Sequence, residues 1–444
     1  MSPIFIVLVV ALLVVQFKLP RRFAFAPLLI AASHFQFVPV IQLGASFDTT
    51  KLVILAGLIR ASREKLLVWT TRQPLDFLVA AWAGWVLISG FAHNPPDHNP
   101  ITIRLSQIYG IVGSYLYARA FIRSPDDFMR YARLLALVVI PLALLAVFEK
   151  YTRQNLYSLI GSGDAAVTIR EGRVRASGPF AHPILLGTFA ATSLVLLVPL
   201  YTGLKRWCIA GSVACVVIVF SSASSGPIVT LFSGSMALLL WRWRTSVGRI
   251  RTLIILTFVG LHIIMQAPVW YLMARFDLVG GSTGWHRAEL ITAALNHLGE
   301  WWLTGTDYTR HWIAYGVPWS AYHTDITNYY IGMGVMGGLP LMFLFIAIFI
   351  KSFQLLGRRM RLLRTAKDPG EFLLWAVGAS LFAHCFTFLS IGYFDQSYVP
   401  LNLLLGSVTG LCAATSIKVD PHVENSGATT VIESQVSAKA PESP

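Results

Sequence analysis

Runs of roughly 17–25 apolar residues recur along most of this chain, and each is long enough to cross a bilayer as a helix. A backbone in hydrocarbon has no water to bond with, so it closes its hydrogen bonds inside helices or inside a closed barrel. The runs lack the period-2 alternation of barrel strands. The expectation is an all-α, polytopic integral membrane protein. Composition agrees: 55% of the 444 residues are hydrophobic and 13% are charged, the latter about half the share in soluble domains.

Spans are expected near 3–18, 23–43, 49–61, 75–92, 101–121, 127–148, 183–201, 206–222, 224–241, 250–267, 326–350, 372–393 and 397–415. The third is short enough to be partly re-entrant, so the count is about 12–13 helices. The first run has no early positive charge and no small-residue cleavage site, and reads as a retained helix. The organisation is then N-terminal helices in 1–150, central helices in 151–267 with a basic loop at 151–182, a long loop at 268–325, C-terminal helices in 326–416 and a disordered tail in 417–444.

Lys and Arg set the orientation, because they are retained on the cytoplasmic side. Residues 351–367 carry Lys351, Arg358, Arg359, Arg361, Arg364 and Lys367, and basic clusters also occur at 18–22, 60–72, 123–133, 205–206 and 242–251. These alternate with the spans. The loops at 93–100, 151–182, 268–325 and 394–396 then face outward, which in a bacterium means the outer face of the inner membrane. The net charge of +14 follows this insertion pattern and does not suggest a nucleic-acid-binding face. Cys208, Cys215, Cys385 and Cys412 lie in apolar spans and read as packing residues.

Three constellations sit on the outward side. The first runs through Arg170, Glu171, Gly172, Arg173, Val174 and Arg175 to Gly178, Pro179, His182 and Pro183. If extended, it projects Arg173 and Arg175 to one side, and guanidinium forks bind phosphate in a bidentate way. The group suits a diphosphate or an anionic lipid headgroup. Lys150, Arg153, Arg170, Arg173 and Arg175 run against the insertion bias, unless they serve an anion or a span boundary lies elsewhere. The second constellation is Gly284, Trp285, His286, Arg287 and Glu289 at the start of an amphipathic stretch. There Arg287 is a candidate anion contact, an ion-pair partner of Glu289 or a surface charge. The third is His323, placed just before or within the first turn of the next membrane helix. A helix N-terminus disfavours imidazolium, so His323 would be a neutral general base, oriented by Asp325 or Thr327, or simply an interfacial residue.

A long loop rich in Trp, His and Arg is more than a connector. It shows no Asp-x-Asp pair and no His-Glu-x-x-His signature, so arginine is the expected diphosphate partner and no metal or other cofactor is expected. Charges deep within spans are sparse, and His34 and His384 make no evident ion-coupling relay.

In this order, the pieces resemble the bacterial O-antigen ligase and O-antigen (exopolysaccharide) polymerase family. The resemblance covers roughly 165–410 and rests on Arg175 through Pro183, Ser224-Ser225-Gly226, Arg287 after a Gly-rich stretch, Leu303-Thr304-Gly305, and His323 followed by the glycines of 332–338. The chain departs from the pattern at Thr324, where Asn is usual. The resemblance implies a GT-C-like, metal-independent, inverting glycosyltransferase that uses a polyprenyl-diphosphate-linked oligosaccharide. Arg175 and Arg287 would bind the diphosphate, with Arg173 and Arg310 as weaker candidates, and His323 would activate a hydroxyl of a glycan or lipid acceptor. Membrane lipids and other polysaccharide-export components are the implied partners. A polymerase is preferred to a ligase; a transporter or flippase of lipid-linked glycans is the alternative from another class.

Overall fold

A computed structural model describes residues 2–36, 38–43, 45–67, 72–95, 99–163, 165–275, 284–313 and 320–413. The expected disordered tail, 417–444, lies outside the described residues, as do 276–283 and 314–319 of the long loop. The chain is built almost wholly of helices. They are α1 (Pro3–Lys18), α2 (Phe25–His34), α3 (Thr49–Arg63), α4 (Pro74–Gly90), α5 (Pro100–Phe121), α6 (Pro125–Thr152), α7 (Pro183–Leu197), α8 (Lys205–Ser221), α9 (Ser225–Leu239), α10 (Val247–Ile264), α11 (Gly284–Asn296), α12 (Leu298–Trp301), α13 (Tyr329–Thr365), α14 (Gly370–Thr387) and α15 (Tyr398–Ala413).

Among the described residues, five helical stretches are long and apolar enough to cross a membrane: Pro125–Thr152, Pro183–Thr202, Val247–Ile264, Tyr329–Thr365 and Gly370–Thr387. Pro3–Lys18 and Pro74–Gly90 are shorter apolar helices. The chain is thus an all-α membrane protein. The expected span over 23–43 is corrected. Its helix α2 covers only 10 residues, about 15 Å or half a hydrocarbon core. The chain then forms an antiparallel hairpin of β1 (Pro39–Leu43) and β2 (Ala45–Asp48). Asp48 caps α3 by accepting the Lys51 N–H at 3.0 Å, and Lys51 reaches Ser106 of α5 at 2.8 Å.

The helices bury one main apolar core and two smaller clusters, with Tyr115, Tyr117, Tyr131, Phe128 and Phe388 among the fully enclosed side chains of the main core. The loops assigned to the outward side gather at one end of it. Ser2 Oγ donates to the Ile160 carbonyl, Gln396 to the Pro179 carbonyl, and Asn94 N–H to Asp307. At the opposite end, buried Glu371 pairs with both Arg244 and Arg364.

One helix break positions the long loop. α13 has non-helical backbone at Gly337 and Gly338, and Pro340 lies just beyond. Pro340 has no N–H to give the Met336 carbonyl, and Arg104 donates to that oxygen at 2.7 Å. Trp85 supplies the Gly337 carbonyl, also at 2.7 Å. The Val335 carbonyl takes the Thr306 N–H and the Leu339 N–H goes to the Trp302 carbonyl. Two groups that would have paired within the helix are therefore answered by the loop, as burial of backbone requires. Gly305 and Gly338, both at positive φ, let the two backbones meet, since a Cβ on either would strike a carbonyl of the other segment. His93 completes the anchor by bonding Asp307 and the Thr304 carbonyl.

Candidate functional site

The basic stretch after α6 folds as a second hairpin, β3 (Thr168–Arg170) and β4 (Arg173–Arg175). Glu171 and Gly172 turn it, both at positive φ (53° and 73°), the signature of a two-residue type I′ connection. The register sets Arg170 opposite Arg173 and Thr168 opposite Arg175. Cross-strand partners and alternate residues share a face, so Arg170, Arg173 and Arg175 all lie on one side. Like charges directly opposite are destabilising.

Arg175 is buried and donates to Ser224 Oγ at 2.7 Å. Its neighbour Ala176 donates its N–H to the Ser221 carbonyl. The break between α8 and α9 thus holds the strand end, which explains why a Ser-Ser-Gly sequence sits there: Gly226 leaves room for Ile391. Beyond Arg175 the chain is clamped again. Buried Glu149 accepts the N–H groups of Ser177 and Gly178 at 2.9 and 2.8 Å, and Asn155 donates to the Gly178 carbonyl. Arg173 is exposed and lines an open cleft of about 430 Å³ with Lys150, Tyr151, Phe220 and Ile228.

His182 caps α7, its Nδ1 accepting the Ile184 N–H at 3.1 Å. Burial, and then the charges of Arg175 and Arg170, push its pKa down to about 4. The ring is therefore neutral near pH 7. Because Nδ1 accepts, the proton sits on Nε2, which makes His182 a hydrogen-bond donor to a ligand and a poor base.

Arg287 lies in the first turn of α11. Its pKa is lowered by burial, partly restored by Asp325, and lowered again by Arg170. Arg170 acts in the same sense on Arg175. The structure thereby groups Arg170, Arg175, Arg287, His182 and Asp325. Among the described residues no Arg287–Glu289 ion pair forms, so that alternative for Arg287 is set aside. Three guanidinium N–H groups are buried without a protein partner among the described residues: Arg175 Nε, Arg287 Nε and Arg310 Nη1.

His323 is half-buried, and its placement corrects the sequence expectation. α13 starts at Tyr329, capped by Asn328, so His323 is six residues outside the helix and gains nothing from its dipole. Thr327 Oγ1 is buried without a hydrogen-bond partner among the described residues, so it does not orient the ring. The segment is held instead by Ser320 Oγ accepting the His323 N–H, by Thr309 Oγ1 accepting the Thr324 N–H, and by the Tyr322 carbonyl accepting from Thr309 and Arg310. His286 bonds the Asp325 carbonyl at 3.2 Å, which ties α11 and Arg287 to the stretch two residues beyond His323.

Arg170 escaped the sequence-based choice of site residues. The two-residue Glu171-Gly172 turn was the available signal, because it fixes residue 170 opposite 173. A second group also escaped it: His297, Glu300 and His311 converge on the long loop. Chemically, the main site offers clustered guanidinium donors, a neutral imidazole donor and a histidine on an adjoining segment. No protein-family model and no curated protein matches this chain.

Proposed function

We propose that this protein transfers or polymerises glycans carried on a polyprenyl diphosphate at the outer face of the bacterial inner membrane. The observation that carries this reading is the grouping of Arg175 and Arg287 around Arg170, with buried guanidinium N–H groups that no acceptor takes among the described residues. Leaving a buried donor unmade costs about 1–3 kcal/mol. An anionic ligand supplies acceptors for Arg175 and Arg287. The apolar cleft beside Arg173 suits an anion that arrives on a lipid.

Diphosphate is already a good leaving group, so the protein needs to stabilise its departing charge and remove one proton. In the proposed reaction an acceptor hydroxyl oxygen attacks the anomeric carbon from the face opposite the diphosphate. The carbon–oxygen bond to diphosphate breaks, and the configuration inverts. The electron pair leaves with the diphosphate, held by Arg170, Arg175 and Arg287, with His182 donating from Nε2. His323 accepts the hydroxyl proton. The fold is read as GT-C-like, with up to about 12 spans once the shorter helices are counted and 23–43 is not. Polymerase is preferred to ligase, so the acceptor is a second lipid-linked repeat.

The test is purified protein with a defined polyprenyl-diphosphate oligosaccharide, with transfer read by mass. Products longer by whole repeats support the polymerase. Movement of intact donor across vesicles without transfer would replace this reading by a flippase.

A further inference from the structure

We propose that His297, Glu300 and His311 form a binding site for a divalent transition-metal ion of the zinc class, separate from the arginine cluster, that fastens the long loop. Nδ1 of His297 lies 2.7 Å from Glu300 Oε1, and Nε2 of His311 lies 3.0 Å from the same oxygen. The three ligand atoms all fall within 4.8 Å of one another. Around a tetrahedral ion with bonds of 2.0–2.2 Å, ligand atoms stand about 3.3 Å apart. To reach that spacing the two nitrogen–oxygen distances lengthen by about 0.3–0.6 Å, and the two ring nitrogens, within 4.8 Å of one another, approach by about 1.5 Å at most.

The local structure explains why these side chains meet. His297 precedes the single turn α12, and Glu300 follows three residues later, so both lie on one side of the turn. His311 comes from the 3-10 turn Arg310–Trp312. Each ring is fixed by a stacked aromatic: His297 on Trp312 at 5.9 Å and 9°, His311 on Tyr308 at 5.0 Å and 12°. Trp312 Nε1 donates to Glu300 Oε2 at 3.1 Å, an outer contact that orients the carboxylate and leaves Oε1 toward the two rings. Two imidazoles and one carboxylate favour zinc-class ions over magnesium or calcium, which prefer all-oxygen sites. The side chains are 30%, 39% and 37% exposed, so water can complete the coordination.

The consequence is mechanical. An ion joins α12 to the 308–312 segment, and Thr309 and Arg310 in that segment hold Tyr322 and Thr324 on either side of His323. The ion thus positions the loop and takes no part in any bond-making step. The site does not depend on the glycan-transfer reading.

The test uses the full chain in nanodiscs, stripped with chelator and then titrated with zinc chloride. Calorimetry and elemental analysis should give one ion per chain. His297→Ala and His311→Ala should each weaken binding at least tenfold. Magnesium should not compete. Zinc should also slow proteolysis within 298–312 in the wild type but not in His311→Gln, whose amide can still bond Glu300. Equal zinc uptake by wild type and the His297→Ala/His311→Ala double variant would overturn the proposal, as would no uptake by a wild type that retains its thermal unfolding transition.

Discussion

At the scale of single residues, the arginine cluster gives the sharpest test. Arg175→Ala and Arg287→Ala should each nearly abolish transfer, and Arg170→Ala should raise the donor concentration needed for half-maximal rate. The corresponding Lys variants should recover only part, because lysine keeps the charge and loses the planar fork. Full activity in both the Arg175→Lys and Arg287→Lys proteins would reduce the cluster to general attraction for the membrane surface. His323→Ala should leave donor binding intact and lower the chemical step by about 10²–10⁴. Transfer by His323→Ala at the wild-type rate would remove the ring from the reaction. His182 makes a prediction about stability. Its folded pKa of about 4 lies below its unfolded value of about 6.5. The unfolded chain therefore binds more protons between those values. The cap's contribution is complete above about pH 6.5 and is lost as pH falls toward the folded pKa. Thermal unfolding followed from pH 7 to pH 5 should show a smaller drop in His182→Asn, which retains a capping oxygen, than in the wild type. Parallel curves would refute it.

At the scale of elements, the break in α13 and the loop lodged in it form one unit. Gly338→Ala would drive a methyl into the Leu303 carbonyl and Gly305→Ala into the Val335 carbonyl, both from positive φ. Each should destabilise the protein by about 1–3 kcal/mol, read as a lower unfolding temperature in detergent and faster cleavage of the loop. Gly357 lies in the same helix with open space around its Cβ position. Gly357→Ala should instead be neutral or stabilise by up to about 1 kcal/mol. Equal effects at 338 and 357 would mean that the loop does not depend on the break. α10 stands apart: it has no buried residue, and Leu253, Leu256, Ile263 and Ile264 are more than 60% exposed. Its length and hydropathy suit a span that meets lipid on every side.

For the whole molecule, the fold puts the arginine cluster, the metal-type cluster and the histidine segment at one end, and the Glu371 ion pairs with Arg244 and Arg364 at the other. Reporters fused after Gly163 and after Thr309 should therefore register outside the cytoplasm, and one fused after Leu363 inside it. A cytoplasmic signal from the 309 fusion would end the proposed chemistry, because its lipid-linked donor is presented on the outer face. Among the described residues Glu371 is the one acid paired with those two arginines, so this end keeps a net basic character that fits cytoplasmic retention.

The sequence by itself determined the material of the fold and pointed to the segments of the proposed site. Apolar runs without strand alternation leave helices as the only economical way to satisfy a buried backbone, and lysine and arginine mark the expected sides. The Arg175 and Arg287 segments and the long loop were legible as candidates because guanidinium groups and Gly-Pro turns are local features. What hydropathy could not resolve was the 39–48 hairpin, since an apolar run rich in β-branched residues reads alike as strand or helix. The start of α13 was also misplaced, because Asn328 and the N–H of Tyr329, taken by Phe388, set the boundary through tertiary contacts. Only the tertiary structure decided that Arg287 lies near Arg170 across more than a hundred residues, and that His311 closes on His297 and Glu300. Those meetings depend on register, on a helix break filled by a distant loop and on aromatic stacking, none of which leaves a periodic trace along the chain.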